Sequence, residues 1–498
     1  MAVVDTLIIG GGWAGLIAAT RLSHAGKKVI LLEARERIGG RAFTHTWTPE
    51  TPADSNACTH EAGPSGKVFV VDFGCSWIHG FEEGNPARKL AEHYDIKANI
   101  PKPTTSKVIG PHGPLSEHLA SKLCANLGAA QAAAAKLAQS EGPSLPDSSR
   151  SLADYLFSSS SPLYEGISSQ GDKKLASDFA RLLHVPLGAR LEDIALRWTG
   201  FERNFAGTDA APEGGFTRLI TKIVEDATKH GAQIKTSQVV QQVKFLTEGN
   251  GSRVQVVSQD GLKYEAASVL CTIPLAVLKG AKGMFEPSLP ERRKAVIDRV
   301  NVGALNKVLL SYDNPWWEVK TGSFTILPTT LIPADLQSAS LRDIFSSSTL
   351  IVSSFAAPNG LPDPNPSLLA YVGAEHGRAI ERFTRQEVAE ALHAYLFERI
   401  GSKAGAIEQP KHSFYSRWNK QEFTRGATTT PVVVGENHSP LDFVELGRPL
   451  WGGALNFAGE HTEMDHRGSI AGAIVSGERE AQRIVDYLER QSYQAQKL

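Results

Sequence analysis

The sequence predicts an α/β fold in which a parallel sheet cradles a dinucleotide and a second unit of mixed strands and helices faces it. The order of segments at the N-terminus predicts the first part. Leu7 to Gly15 read L-I-I-G-G-G-W-A-G, an apolar strand running into G-x-G-x-x-G, and Glu33 closes the next apolar run, V-I-L-L-E. This is the Rossmann-type βαβ pattern: Gly10 makes the tight turn, Gly12 lets backbone approach a pyrophosphate, and Gly15 lets the helix pack on the strand. The helix, expected to begin near Trp13 with Ala14 in its first turn, turns free N–H groups and a positive dipole end toward the phosphates. Glu33 is then placed to accept hydrogen bonds from a ribose. The chain continues A-R-E-R-I-G-G-R-A from Ala34 to Ala42. Arg35, Arg37 and Arg41 thus set fork-shaped cations, and Gly39 and Gly40 bare backbone, beside the same pyrophosphate. By itself the glycine motif fits NAD or FAD.

With the arginine and glycine segment the chain resembles the FAD-binding half of the flavin-containing amine oxidases, the family of monoamine and polyamine oxidases. Five later segments carry the same resemblance. V-D-F-G-C-S-W-I-H-G from Val71 is similar to the stretch that passes under the flavin, which implies contacts from Gly74, Cys75, Ser76 and Trp77. E-G-G-F-T-R-L-I from Glu213 resembles the entry to a cofactor-domain helix, and T-S-Q-V-V-Q-Q-V from Thr236 the strand whose valine, here Val240, meets the adenine through its backbone. V-L-C-T-I-P-L-A-V-L-K, ending at Lys279, resembles the strand and turn that follow. L-N-F-A-G-E-H-T from Leu455 brings Gly459 and Glu460 to the cofactor, and a helix starting near Ser469 and Ile470 follows. Its small residues Ala471, Gly472, Ala473, Ser476 and Gly477 are expected to let a flat ring lie close, with the helix N-terminus at the flavin C2 carbonyl.

The resemblance implies FAD as cofactor and two interleaved domains: an FAD-binding domain from 1–95, 212–290 and 445–498, and a mixed α+β substrate domain from 96–211 and 291–444. In the latter, Leu119, Leu123, Leu127, Ala130, Ala134 and Leu137 recur at helical spacing, and more helix is expected through Ala180, Leu183 and Leu191. Residues 141–150 form a Ser/Pro loop, while Val300–Tyr312 and Leu350–Val372 turn to strand.

Lys307, in A-L-N-K-V-L-L-S-Y, shares a strand face with Leu305 and Leu309, an apolar row that an ordinary surface lysine avoids. It matches the family's active-site lysine, which implies that it holds a water against flavin N5. His79 follows Trp77 directly; in several polyamine oxidases a histidine there faces the substrate amine, and a structural histidine fits equally well. Trp418, in Y-S-R-W-N, resembles the tryptophan near the flavin's dimethylbenzene edge. The segment R-G-A-T-T-T from Arg425 puts Ala427 where monoamine oxidases carry a flavin-bonding cysteine, so FAD is expected to be non-covalent. Thr428 and Ser469 stand where the family often places two tyrosines, which implies a wider, more polar substrate site than an aromatic cage.

The expected reaction is oxidation of an amine by oxygen and water to a carbonyl compound, hydrogen peroxide and ammonia or a released amine. Long-chain or bulky primary amines, fumonisin-like aminopolyols included, rank first and polyamines such as spermine and spermidine second. An L-amino-acid oxidase is the third reading, although no arginine can be assigned to a substrate carboxylate. A non-catalytic flavoprotein scaffold is the fourth, and no inserted helical tower supports it.

At 498 residues the chain has room for about three domain-sized units. A formal net charge of −1 recruits neither nucleic acid nor an anionic membrane. No apolar run nears the ~20 residues that span a bilayer. Cys58, Cys75, Cys124 and Cys271 lack metal spacing and the fifteen histidines form no H-E-x-x-H, so no metal is expected. The chain opens directly into its first strand, and a cytoplasmic enzyme is expected. The ending Gln496-Lys497-Leu498, which shares its last two residues with the S-K-L signal, leaves a peroxisomal alternative. Self-association stays open.

Overall fold

The computed structural model describes residues 4–51, 66–142, 145–248, 251–358, 364–401 and 408–496. Cys58, Lys497 and Leu498 lie outside them. The first strand, β1 (Val4–Ile9), is followed by α1 (Trp13–His24) and β2 (Val29–Leu32), which pairs with β1 in parallel, Leu7 opposite Ile30. Four consecutive apolar residues suit β2 because it is buried on both faces, as an interior parallel strand must be. Far later in the chain come α2 (Phe216–Lys229) and β3 (Lys263–Cys271), and β3 pairs with the free side of β1.

Among the described residues these strands belong to an eight-stranded sheet. Its path runs Phe285–Glu286, Val240–Glu248, Gly251–Ser258, β3, β1, β2, Gln233–Lys235, and Leu455–Phe457 pairs with β3 off that path. A second, seven-stranded sheet is built around β4 (Leu305–Ser311) and β5 (Ser367–Gly373), antiparallel neighbours with Lys307 opposite Tyr371. Helix Arg385–Ile400 packs behind it through Val388, Leu392 and Leu396. The long helix Glu117–Ala138 packs with Leu123, Leu127, Ala130 and Ala134 on a separate apolar cluster. The C-terminal helix α3 (Ile470–Ala495) lies against α1.

Three local expectations need correction. Helix does not continue to Leu191: it ends at Leu187, where Gly188 takes the left-handed conformation with φ +65°, and Leu191 is buried in an irregular stretch. The first predicted strand begins at Leu305 and not Val300; before it the chain is irregular, with Gly303 pressed against the Gly188 backbone. The second is two strands, Leu350–Ser354 and Ser367–Gly373.

Candidate functional site

The turn after β1 has the geometry that its glycines imply. Gly10 sits at φ +107°, and a Cβ there would lie 2.5 Å from Thr272 Oγ1, whose hydroxyl donates to Ile9 O. A Cβ on Gly15 would collide with Gly10 O, so this glycine serves the packing of α1 on β1 and does not line the cavity. Gly12 is the opposite case. A side chain there would meet nothing within 4 Å, because its backbone faces a cavity of about 630 Å³. No side chain caps α1, so the N–H groups of its first turn stay available to an anion in that cavity.

Glu33 emerges at the end of β2 with Oε2 accepting from Gly11 N at 2.7 Å and Oε1 from Arg35 N at 2.9 Å. Two main-chain bonds hold the carboxylate at the cavity wall. Arg35 lines the same wall over the Phe423 ring. Arg37 turns away: its guanidinium donates to Gly40 O at 2.8 Å and stacks over Phe43, so it braces the loop instead of facing a pyrophosphate. Arg41 donates to Glu460 Oε1 and Ala427 O, each at 2.8 Å. Burial alone would raise the Glu460 carboxyl, but Arg41, His461 and the Thr429 hydroxyl hold it down at about 2. Glu460 is therefore a fixed anion that orients Arg41.

Lys307 occupies the other end of the cavity. It is 4% exposed, and Nζ donates to Asp72 O at 2.9 Å, Gly74 O at 2.7 Å and, more closely, to Ser76 Oγ. Burial pulls its ammonium down to about 8, with Asp72 and Cys75 opposing. The Asp72 carboxyl is itself pushed up to about 6 by burial, although Thr44 Oγ1 (2.6 Å) and Phe216 N (3.1 Å) donate to it. Nothing in V-D-F-G marks Asp72 as more than a strand end; only folding sets it at the N-terminus of α2 and beside the lysine. Tyr371, reached by strand register from β5, also lines the cavity, with Lys307 Nζ 5.5 Å from its ring centre. Neither residue was expected from sequence.

Gly74, Cys75, Ser76 and Trp77 all line the cavity, and a Cβ on Gly74 would collide with Arg41 O. Burial raises the Cys75 thiol to about 12, so it is no nucleophile at neutral pH. Trp418 lines it too, placed by its backbone N–H donating to Asn306 Oδ1, one residue from Lys307. Val240, Glu460, Ile470 and Ala14 are cavity residues. His79 stands at the mouth, its side chain 69% exposed, with Nδ1 2.8 Å from Asp209 Oδ2. That acid is the partner absent from its local sequence.

Ala427, Thr428 and Ser469 come together at the same wall. Thr428 Oγ1 donates to Gly468 O at 3.1 Å, and Ser469 is the N-cap of α3, accepting from Gly472 N at 3.1 Å and donating to His466 O at 2.7 Å. The small residues of α3 need a different explanation from the one expected. Only Ala473 of that set lines the cavity; a Cβ on Gly477 would strike Ala14 O, and Ser476 accepts from Gly459 N. Gly477 thus lets α3 approach α1, Ser476 ties it to the Gly459 loop, and Gly472 makes room for the His466 backbone.

The fold and the cavity define a dinucleotide-binding protein whose cleft ends on a buried lysine. The chain belongs to the flavin containing amine oxidoreductase family, whose model matches residues 13–485, and the cofactor of that family is FAD. Among curated relatives it is 26% identical over 522 residues to lysine-specific histone demethylase 1 homolog 3 of Arabidopsis thaliana, covering 97% of this chain and 30% of that one. It is 25% identical over 488 residues to homolog 1 of Oryza sativa subsp. japonica (97% and 52%), and 24% identical over 494 residues to the 1B enzyme of Mus musculus (97% and 53%). The chain thus spans about half or less of the length of these relatives. Its fold is similar to that of cyclohexylamine oxidase from Brevibacterium oxydans IH-35A, with a TM-score of 0.70 and 19% identity over 98% of this chain and all of the other. The open backbone at Gly12, the uncapped α1 and the fixed Glu33 fit the dinucleotide that the family implies.

Proposed function

We propose that this chain is an FAD-dependent amine oxidase that holds its cofactor without a covalent bond and prefers long-chain or bulky primary amines. The observation that carries this reading is one cavity running from the glycine turn to buried Lys307. FAD would be held by the Gly10–Gly12 turn, Glu33, Arg35, Gly40, Val240, Glu460 and Ile470, in a unit drawn from 1–95, 212–290 and 445–498. Residues 96–211 and 291–444 make the substrate unit. When bound, FAD would supply the acceptor for the hydride of the amine α-carbon and pass the two electrons to oxygen, which leaves as hydrogen peroxide, while water converts the imine product to a carbonyl compound and ammonia.

The chain's own residues do the placing. The cation at Lys307 makes a second cation nearby costly, so the amine enters neutral. Ser76 is the one Nζ partner on a rotatable side chain, so its hydroxyl is the contact that a water beside the flavin would exchange with. Lys307 then orients that water and is not a nucleophile. Tyr371 and Trp77 wall the substrate end, and Thr428 and Ser469 leave it wider than two tyrosines would.

The test is peroxide release across long-chain primary amines, polyamines, aromatic amines, an N-methylated lysine peptide and L-amino acids. Long-chain monoamines should lead in kcat/KM. A higher value for spermine or spermidine replaces this reading with a polyamine oxidase, and reaction of amino acids alone removes amine oxidation. The N-methyl peptide matters because the curated relatives are named demethylases. No described helix is long and apolar enough to cross a membrane. We place the enzyme in the cytoplasm, and an N-terminal fluorescent fusion collecting in peroxisomes would overturn that.

A further inference from the structure

Helices α1 and α2 lie side by side, and their C-terminal ends converge. His24 is the last residue of α1, and His230 caps α2. Asp226 stands one turn before His230 on the same helix face. His24 Nε2 lies 3.0 Å, and His230 Nδ1 3.1 Å, from one and the same atom, Asp226 Oδ1. The three groups offer atoms that all fall within 4.8 Å of one another, and the two rings meet edge to face with centres 4.1 Å apart. We propose that His24, Asp226 and His230 bind a divalent cation of the zinc class.

Two imidazole nitrogens and a carboxylate oxygen are a donor set for such an ion, at bonds of about 2.0–2.2 Å. Tetrahedral bonds of that length hold ligand atoms roughly 3.3 Å apart, so both observed separations are within a few tenths of an ångström of what the ion needs. His230 Nδ1 also lies 2.9 Å from the Asp226 carbonyl oxygen, a contact that the ion would replace. Asp226 Oδ2 points the other way and accepts the Tyr94 hydroxyl at 2.8 Å, which fixes the carboxylate's orientation as hydrogen-bonded metal carboxylates require. Both histidines sit at helix C-termini, whose partial negative charge favours a cation. The side chains are 37%, 15% and 42% exposed, so solvent supplies the remaining coordination positions. The site lies at the end of α1 remote from the Gly12 turn, and its effect is to clamp α1 to α2.

The experiment is a zinc titration of untagged, chelator-stripped holoenzyme by calorimetry, with magnesium as comparator. One equivalent of zinc should bind with micromolar affinity and magnesium should not, since magnesium keeps oxygen ligands. His24→Gln and His230→Gln should each weaken zinc at least about tenfold, with the flavin spectrum unchanged. Zinc at about 100 times its Kd should raise the melting temperature of wild type, corresponding to about a 100-fold shift in the unfolding constant, and in His230→Gln the same zinc concentration should give a shift of about 10-fold or less. Cys124 is exposed, so a Cys58→Ser/Cys124→Ser variant should keep the site. Absence of a bound equivalent, binding unchanged in the histidine variants, or loss in the cysteine variant overturns the proposal.

Discussion

Lys307 shows how one buried charge can be both costly and useful. Three protein oxygens satisfy its ammonium while burial drags it down to about 8. Nζ is mostly protonated below about pH 8 and loses its proton above. Because an unfolded lysine titrates near 10.4, the unfolded chain binds the extra proton between these values, and that part of the stability rises with pH there. If the ammonium orients water, reoxidation of reduced flavin should decline as pH rises through about 8. Lys307→Met should slow it by roughly 10²-fold and remove the inflection, with anaerobic reduction by amine much less affected; stopped-flow traces with unchanged reoxidation would take that role away. Ala427 carries a simpler expectation. With no thiol at that position, acid or heat should release the flavin into the supernatant, and yellow colour retained on washed precipitate would show a covalent link.

At the scale of elements, the helix termini decide most. Asp72 receives the α2 N-terminus, the uncapped α1 faces the cavity, and Ser469 caps α3. Ser469 therefore has a structural reason to be a serine, separate from any effect on substrate. Ser469→Ala should cost about 1 kcal/mol in thermal or denaturant unfolding, and Ser469→Asp should recover most of it. An equal loss in both variants would mean that the cap contributes nothing. Gly15→Ala tests the seam between α1 and β1. Its methyl would collide with Gly10 O, so the turn must open, and the purified protein should carry much less flavin per chain than wild type.

Across the whole molecule, the cavity joins strands of two sheets, and substrate choice should follow chain burial. Each buried methylene is worth about 0.8 kcal/mol. Among linear primary amines, lengthening should therefore lower KM before it changes turnover. Thr428→Tyr with Ser469→Tyr should narrow the accepted range by excluding bulky amines. Because the second change also deletes the α3 cap, the profile must be compared with that of Ser469→Ala. A double variant with an unchanged profile would show that these positions do not wall the substrate.

Local pattern determined the parts whose physics is local. The glycine turn, the buried run of β2, the start of α1 at Trp13 and of α3 beside Ser469 follow from motif, periodicity and capping, each set by residues within a few positions of one another. Gly74 to Trp77, Lys307, Trp418 and Thr428 were legible as cavity residues through resemblance to a family. Tertiary structure alone decided what depends on register and on contacts across hundreds of residues. Tyr371 faces Lys307 because β4 and β5 pair in one register, and Asp209 reaches His79 from outside its segment. Arg37 looked like a phosphate ligand until the fold offered it Gly40 O and the Phe43 ring. Gly477 of α3 suited a flat ring or close packing equally, and the position of α1 chose the packing. His24 lies 202 residues from Asp226; linear spacing cannot announce ligands that only helix packing brings within reach of one ion.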